Sequence, residues 1–383
     1  MEQVEKPGRW QQYATRVIFF IGGFGAASWA PLIPFLKARL QIDEGVLGML
    51  LLCIGAGSLF TMPFAGRTAA RFGCRRVLSV VACAYALLLV LLGAAASFWL
   101  AVPALVTFGA VMGILDVTVN IQAVMVEQAA GHRLMSGFHA LWSVGGFAGA
   151  GLFGVWMSLG LTPLQTAVCA AGLMLILLGA FGRYLLPYGG EKPAGGTLFA
   201  RPKGIVAFVG IICCIAFLAE GAIMDWSGVF LTTLKGMDLS KAGTGFAVFS
   251  AAMLVMRLTG DWLVPRLGSR RIVLGGSALS VLGFLLVIFS SGALPLYLGF
   301  FAIGMGCANI VPVFYSVLGR QQDMSVNMAV SAVSTLGYMG ILMGPAVIGF
   351  VAHQTSLYIS FGLLAALVVV QMLIARYVYR TVV

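Results

Sequence analysis

Residues 205–231 read IVAFVGIICCIAFLAEGAIMDWSGVFL, an apolar run with two acidic residues in it, Glu220 and Asp225. A run of this length is sufficient for a helix that crosses a bilayer. A helix that starts at Ile205 places Glu220 about 22 Å from that end, at 1.5 Å per residue. An ionisable group at such a depth is costly unless it faces a watery cavity or a partner. Glu220 is therefore a candidate functional residue.

Glu220 and Asp225 lie about 140° apart around a straight helix, because they are five residues apart. Either Gly221 loosens the backbone, or only one of the two acids faces a cavity. We expect that acid to be Glu220, the deeper one, and we expect it to carry protons, with Asp225 as a second candidate. Asp225 alternatively meets water beside the interfacial anchor Trp226. The structural alternative for Glu220 is a buried acid paired with a helix-end amide or a serine.

The composition of the whole chain is that of a polytopic membrane protein. Of its 383 residues, 61% are hydrophobic and 9% are charged, and the mean hydropathy is +1.02. Soluble domains have about 25% charged residues. The seven cysteines lie in apolar runs or a basic loop, and none has metal-ligand spacing. We therefore expect neither a disulfide framework nor a metal site.

Apolar runs of about 20 residues, long enough to span a bilayer, recur along the chain. They predict an all-α membrane protein with twelve transmembrane helices. The predicted spans are 15–36, 45–65, 77–97, 99–122, 134–157, 164–182, 205–230, 241–263, 272–290, 294–317, 328–352 and 356–376.

The net charge of +11 is explained by the loops and not by nucleic-acid binding. With a cytoplasmic N-terminus, 18 Lys and Arg residues lie on the cytoplasmic side and four lie outside. The remaining one, Arg257, is inside a span. The positive-inside rule therefore predicts that both termini are cytoplasmic.

The chain contains an internal repeat. The polar segment 183–204 predicts a cytoplasmic linker between two six-span bundles, residues 1–182 and 205–383. The stretch GRTAARFGCRRVL, between spans two and three, is echoed 195 positions later by VPRLGSRRIV, between spans eight and nine. The matching pairs are Arg71 and Arg266, Gly73 and Gly268, Arg75 and Arg270, and Arg76 and Arg271. A parallel repeat with a substrate site between its halves is typical of secondary transporters.

These two loops resemble the signature loop of the major facilitator superfamily, G-x-x-x-D-R-x-G-x-R-R, and the resemblance covers the whole chain. It implies two pseudo-symmetric six-helix bundles. It also implies that the loop arginines contribute to a cytoplasmic gate, namely Arg71, Arg75, Arg266 and Arg270. Ala70 and Pro265 stand where the family has Asp, so the gate lacks that acid. Residues 27–34, 115–150 and 219–226 further resemble the YbjJ-type transporters, which implies a bacterial inner membrane.

One face of span four is small and polar, and carries Gly109, Gly113, Asp116 and Asn120 at helical spacing. The glycines permit close helix approach. Spans five and eight meet between the halves of facilitators, so the resemblance implies a gate formed by Asp116, His139 and Arg257. The alternatives are a structural Asp116–Arg257 pair, an Arg257 that reaches the headgroups, and a packing role for His139.

Further polar and aromatic residues are candidate substrate contacts: Trp29, Asn120, His139, Trp142, Trp226, Asn309 and Tyr338. The tryptophans either stack on a sugar or flat ring, or pack. Asn309, with Gly306 and Pro312, indicates a broken helix that lines a cavity. The polar face of span eleven is as typical of helix association as of ligand binding, and consists of Ser331, Ser334, Thr335 and Tyr338.

The chain has no phosphate-binding loop, and no set of nucleophile, base and orienting residue, so we expect no enzyme activity. The prediction is a monomeric secondary transporter of a small polar solute, sugar-like or an organic acid, that works by alternating access. Proton coupling through Glu220, Asp225 and Asp116 is expected, with no cofactor beyond the proton gradient. The alternatives are proton-driven efflux of drugs or amphipathic metabolites, and a lipid transporter or non-transporting receptor.

Overall fold

The structure, a computed structural model, describes residues 8–190 and 200–381; residues 191–199 of the predicted linker lie outside the described residues. The described residues form α-helices and short turns, with no strand among them. The helices are α1 Arg9–Trp29, α2 Ile33–Leu40, α3 Glu44–Phe72, α4 Cys74–Ala94, α5 Phe98–Ala130, α6 Met135–Ser158, α7 Pro163–Phe181, α8 Ile205–Val229, α9 Thr244–Leu267, α10 Ser269–Phe289, α11 Ala293–Cys307, α12 Ile310–Leu318, α13 Val326–Gln354 and α14 Leu357–Thr381.

In the described part of the chain, twelve helical segments are long and apolar enough to cross a membrane. This confirms the predicted number of spans. Helices α1 and α2 belong to one segment, and α11 and α12 belong to another. Helix α5 is longer than predicted, with 33 residues. It continues past the apolar part because Gln and Glu are good helix formers, and it ends at Gly131, where φ is 72°.

Two glycines 195 positions apart end corresponding helices. Gly73 separates α3 from α4 with a φ of 81°, and Gly268 separates α9 from α10 with a φ of 84°. Glycine adopts such positive φ values without the steric cost that a Cβ imposes. The repeat seen in the sequence therefore extends to the backbone conformation of the two loops.

The described residues within Met1–Leu134, Phe138–Arg201 and Ser325–Ser331 form one compact unit. Helix α5 packs there against α3 and α4. Gly109 of α5 lies so close to the carbonyl of Ile54 that a Cβ would have no room. The hydroxyl of Ser58 donates to the carbonyl of Gly109 at 2.7 Å. The predicted role of Gly109 in close helix approach is confirmed.

The described residues within Met135–Gly137, Pro202–Met324 and Ala332–Val383 form the second unit. Helix α14 packs there against α8 and α10, and α11 packs against α9 and α10. Phe230 and Phe361 stack in its apolar core with ring centroids 4.4 Å apart. Whether the 183–204 linker separates two folding domains stays a prediction.

Candidate functional site

Helix α8 is continuous through Gly221, so this glycine does not break it. Gly221 packs against Ile341 of α13, where an added Cβ would lie 3.1 Å from the Ile341 side chain. Asp225 is exposed, whereas the Glu220 side chain is only 15% exposed. On this unbroken helix the two acids have different surroundings, and Glu220 is the one that is shielded.

Glu220 forms an ion pair with Arg257 of α9. The Nη2 nitrogen of Arg257 lies 3.3 Å from Glu220 Oε1 and 3.5 Å from Oε2. The Arg257 side chain is 7% exposed, so both charges are largely removed from solvent. Loss of either partner of such a pair leaves an uncompensated buried charge. Each charge of the pair is therefore compensated by the other.

Arg257 also binds a backbone carbonyl that is freed by a helix break. The span formed by α11 and α12 is interrupted at Ala308 and Asn309, as the sequence predicts. Pro312 has no N–H, so it cannot donate to the carbonyl four residues earlier, that of Ala308. Arg257 Nε donates to this carbonyl at 3.2 Å. The break thus supplies a backbone acceptor that orients the guanidinium.

Asn309 lies at the same break and is 2% exposed. Its Nδ2 donates to the carbonyl of Met256, the residue before Arg257, at 3.0 Å. Its Oδ1 is buried and has no hydrogen-bond partner among the described residues. A buried amide oxygen without a donor is an acceptor that a polar ligand can satisfy.

The sequence did not predict the Glu220–Arg257 pair, and instead proposed Asp116 as the partner of Arg257. The ion pair observed for Arg257 is with Glu220, within the second unit. The sequence signal that could have predicted the pair is the similar depth of the two residues in their spans. Glu220 lies about 22 Å from the start of α8, and Arg257 about 15 Å from the end of α9, at 1.5 Å per residue. A long arginine side chain bridges such a difference. A gate that includes Asp116, His139 and Arg257 stays a prediction.

Asp116 and Asn120 lie together on α5 in the first unit. Asn120 Nδ2 donates to the backbone carbonyl of Asp116 at 2.9 Å and lies 3.4 Å from its carboxylate. Asn120 Oδ1 is buried without a hydrogen-bond partner among the described residues. The predicted polar face of span four therefore exists, and Asp116, one of the proton-carrying candidates, lies beside an amide whose oxygen has no partner among the described residues.

The three tryptophans predicted to contact substrate pack against neighbouring side chains or glycines. Trp29 is buried, with its ring centroid 5.9 Å from that of Phe108. The ring of Trp142 packs so closely on Gly22 that a Cβ there would collide with it. The ring of Trp226 packs on Gly349 in the same way. These contacts favour the packing alternative, and a role in substrate binding stays a prediction.

His139 and Tyr338 also stay predictions as substrate contacts. The His139 ring centroid is 5.2 Å from that of Phe19. Tyr338 is half-buried in α13, one turn beyond Ser334. The hydroxyl of Ser334 is hydrogen-bonded to that of Tyr315 at 2.6 Å. The Ser334 contact supports the helix-association alternative for this face.

The start of the linker is bound to the first signature loop. The backbone N–H of Arg75 donates to the carbonyl of Leu186 at 2.7 Å, and its Nε donates to the carbonyl of Leu185 at 2.8 Å. The N–H of Cys74 donates to the carbonyl of Tyr188 at 3.1 Å. Arg75, a predicted gate residue, therefore binds the start of the linker within the first unit.

The other gate arginines are exposed near the ends of helices: Arg71 in α3, Arg266 in α9 and Arg270 in α10. Arg71 lies over the ring of its neighbour Phe72, 5.0 Å from the ring centroid. Arg266, at the same place in the repeat, lies 3.8 Å from the Trp262 ring centroid. Arg270 is exposed. The positions are compatible with a gate, and the gating role stays a prediction.

Sequence reasoning missed Asp261, which lies one turn after Arg257 on α9. Its Oδ2 accepts a hydrogen bond from the backbone N–H of Gly137 at 3.0 Å. Gly137 is the third residue of α6, so the carboxylate satisfies an amide at a helix start, where negative charge is favourable. Asp261 stands 195 positions after Gly66, the first residue of the signature pattern. That correspondence was the signal that could have found it.

Comparison with known proteins identifies the family. The model of the Major Facilitator Superfamily matches residues 17–320 and, again, 209–382. The chain belongs to this superfamily. An uncharacterised MFS-type transporter of Yersinia pestis is 47% identical over 382 residues, which cover 99% of this chain and 98% of that protein. The family predicted from the signature loop is confirmed, and the protein is a transporter and not an enzyme. The YbjJ-type subgroup stays a prediction.

Solved structures of the superfamily share the fold. The fucose:proton symporter FucP of E. coli has a TM-score of 0.76 at 15% identity, over 96% of this chain and 98% of that one. The proton:xylose symporter XylE has a TM-score of 0.77 at 11% identity, over 98% and 96%. The predicted fold of two six-helix bundles is confirmed.

The multidrug resistance protein Stp of Mycobacterium tuberculosis is 30% identical over 159 residues, 40% of this chain and 29% of that protein.

Proposed function

We propose that the protein moves a small polar solute across a bacterial inner membrane by alternating access, driven by protons. The observation that carries this proposal is the shielded pair of Glu220 and Arg257. A buried acid that can change protonation, next to a cation that cannot, is a simple means of linking proton binding to another event. The transporter works as a monomer with both termini in the cytoplasm.

The link follows from charge balance. Protonation of Glu220 removes the negative charge that compensates Arg257. An unpaired buried guanidinium is costly, so Arg257 then favours another acceptor within reach. An oxygen atom of the solute is such an acceptor, and the guanidinium has five N–H donors with which to bind it. A solute bound to Arg257 in turn lowers the cost of protonating Glu220. Proton and solute therefore favour each other's binding.

The groups around the pair favour a polar solute. Asn309 Oδ1 is a buried acceptor without a donor among the described residues, and Asn309 adjoins Ala308, whose carbonyl binds Arg257. A hydroxyl group can donate to such an acceptor and accept from a guanidinium at the same time. Sugars carry several hydroxyl groups, and hydroxy acids carry at least one. The structures of similar fold include symporters of fucose and xylose, which agrees with this class of solute.

The test begins with a thermal-shift screen of sugars and organic acids on the purified protein. A ligand at 100 times its dissociation constant stabilises by about 2.7 kcal/mol, which is measurable. Uptake of the best ligand is then followed in proteoliposomes with and without a pH gradient. Wild-type protein is expected to accumulate the ligand only with the gradient. Accumulation that ignores collapse of the gradient would end the proposal of proton coupling.

Glu220→Gln is the decisive variant, and Asp225→Asn is its matched control on the same helix. Glu220→Gln keeps the size of the side chain but fixes it in a neutral form. It is expected to abolish gradient-driven accumulation while exchange of ligand across the membrane continues. Asp225→Asn is expected to retain both activities, because Asp225 is exposed. Loss of ligand binding in Glu220→Gln, with coupling intact in the remaining activity, would make Glu220 a substrate ligand.

Export of amphipathic compounds is the second candidate. Its support is the partial likeness to the multidrug resistance protein Stp. The same ligand screen separates the two functions. Stabilisation by amphipathic drugs and by none of the sugars or acids would favour export, and it would leave the shielded ion pair as the shared coupling element.

A further inference from the structure

An apolar groove lies on the first unit, to which neither Glu220 nor Arg257 belongs. It has a volume of about 340 Å³ and is lined by α3, α4 and α5. Phe72 of α3, Val80 of α4 and Ile114 of α5 contribute apolar side chains, and Arg76 lies at its border. Val80 is 68% exposed and Phe72 is 46% exposed. On membrane-spanning helices, exposed apolar side chains of this kind are typical of a surface that contacts acyl chains.

Arg76 is placed at one end of the groove. It is the third residue of α4, and Val80 lies one turn, about 6 Å, deeper along the same face. An arginine at the end of a span lies near the level of the lipid phosphates. Arg76 is exposed and has no hydrogen-bond or ion-pair partner among the described residues. Its guanidinium is therefore available to an external anion.

The loop around Arg76 carries positive charge without compensation in its own sequence. Residues 66–78 contain four arginines and no acid, since Ala70 occupies the place of the signature Asp. The guanidinium of Arg75 is hydrogen-bonded to the linker, and that of Arg71 lies over Phe72. The phosphodiester of an anionic lipid has no cation in its own headgroup, so it binds the fork of a guanidinium better than the phosphodiester of a zwitterionic lipid does. The guanidinium of Arg76 therefore suits the phosphate of a lipid, and the apolar groove suits an acyl chain of the same lipid.

We propose that this groove binds an anionic phospholipid, with an acyl chain along Val80 and Ile114 and the phosphate at Arg76. Anionic lipids are attracted to basic residues beside a span, and basic pockets between spans bind their headgroups. The site is distinct from the Glu220–Arg257 pair, which belongs to the other unit. Whether the lipid site exists does not depend on which solute the protein transports.

The experiment measures lipid retention by native mass spectrometry of the full chain, with phosphatidylglycerol or phosphatidylcholine added to the micelles. Wild-type protein is expected to retain phosphatidylglycerol in preference. Arg76→Gln is expected to weaken that retention about 5-fold, since one arginine near an anionic surface contributes about 1 kcal/mol. Arg271→Gln is the matched control, because Arg271 has the same position in the second copy of the repeat and is exposed. It is expected to retain phosphatidylglycerol like the wild type.

A second variant tests the apolar part. Val80→Trp fills the groove without a change of charge, and is expected to reduce retention of phosphatidylglycerol while Tm stays within a few degrees. Equal retention of the two lipids by the wild type would overturn the proposal. Equal losses in Arg76→Gln and Arg271→Gln would also overturn it, since they indicate general attraction to basic loops. Higher retention after residues 191–199 are replaced by a Gly-Ser linker would make the linker the occupant.

Discussion

Arg257 donates to the carbonyl of Ala308, the acceptor that Pro312 leaves without a helical donor, and this bond fixes the guanidinium that faces Glu220. The ion pair is thus tied to the break between α11 and α12. We expect a movement at that break to shift Arg257, and a change of charge at Glu220 to act on the break through the same side chain. The proposed coupling rests on the Glu220–Arg257 pair, and this connection extends it to the helix break.

The first prediction concerns the interdependence of the pair. Arg257→Gln leaves Glu220 without its cation, and breaking a buried pair in this way costs about 3–5 kcal/mol. The double variant Glu220→Gln/Arg257→Gln has no uncompensated charge, so its Tm is expected to lie above that of Arg257→Gln. Thermal unfolding of the four proteins in one detergent measures this. Additive losses in the double variant would show that the two side chains do not interact.

The same series has a pH dependence of known sign. In Arg257→Gln the unpaired carboxylate of Glu220 is relieved by protonation, so the stability deficit relative to wild type is expected to shrink as the pH falls. The double variant has no carboxylate at this position and is expected to show no such recovery. A deficit that is the same across the pH range would indicate that the loss is one of packing.

The sequence was sufficient for the spans and for the broken helix, and insufficient for the partners within the site. Apolarity over a span is a local property that adds along the chain, so the helices could be counted. The break at Asn309 was also local, because Pro312 removes a donor whatever surrounds it. Which carboxylate meets Arg257 depends on how α8 and α9 are rotated against each other. That rotation is set by contacts such as Gly221 on Ile341, which involve a third helix.

The second prediction uses the paired glycines of the repeat. Gly73 and Gly268 have nearly the same positive φ, so an alanine at either position costs about 1–3 kcal/mol in backbone strain. Only at Gly73 would the new Cβ also collide with the carbonyl of Pro187 in the linker. An added Cβ at Gly268 meets no atom within 4 Å. Gly73→Ala is therefore expected to lower Tm further than Gly268→Ala.

Limited proteolysis supplies an independent measurement for the glycine pair. If Gly73→Ala displaces the linker, cleavage between residues 185 and 204 is expected to accelerate, while Gly268→Ala leaves it as in the wild type. Identical cleavage and identical Tm in the two variants would show that docking of the linker on the signature loop contributes nothing to stability.

The third prediction concerns orientation in the membrane. The distribution of Lys and Arg predicts that the 183–204 linker and both termini lie in the cytoplasm, and that Lys235 lies outside. In a background without the seven native cysteines, a cysteine at Lys235 is expected to react with a membrane-impermeant maleimide in intact cells. A cysteine at Lys203 is expected to react only after the cells are opened. The reverse pattern would invert the topology.

The last prediction concerns the helix break itself. Pro312→Ala restores an N–H that can donate to the carbonyl of Ala308, where it competes with Arg257 Nε. The span formed by α11 and α12 becomes more regular, so Tm is expected to stay the same or rise. Transport is expected to fall, because the guanidinium loses the acceptor that orients it toward Glu220. Pro103→Ala in α5 is the control, since that proline also lies inside a membrane helix but in the other unit. Uptake and Tm are measured together. A more stable Pro312→Ala protein with wild-type transport would show that the Ala308 carbonyl has no part in coupling. A loss of both transport and stability would indicate general damage to the fold.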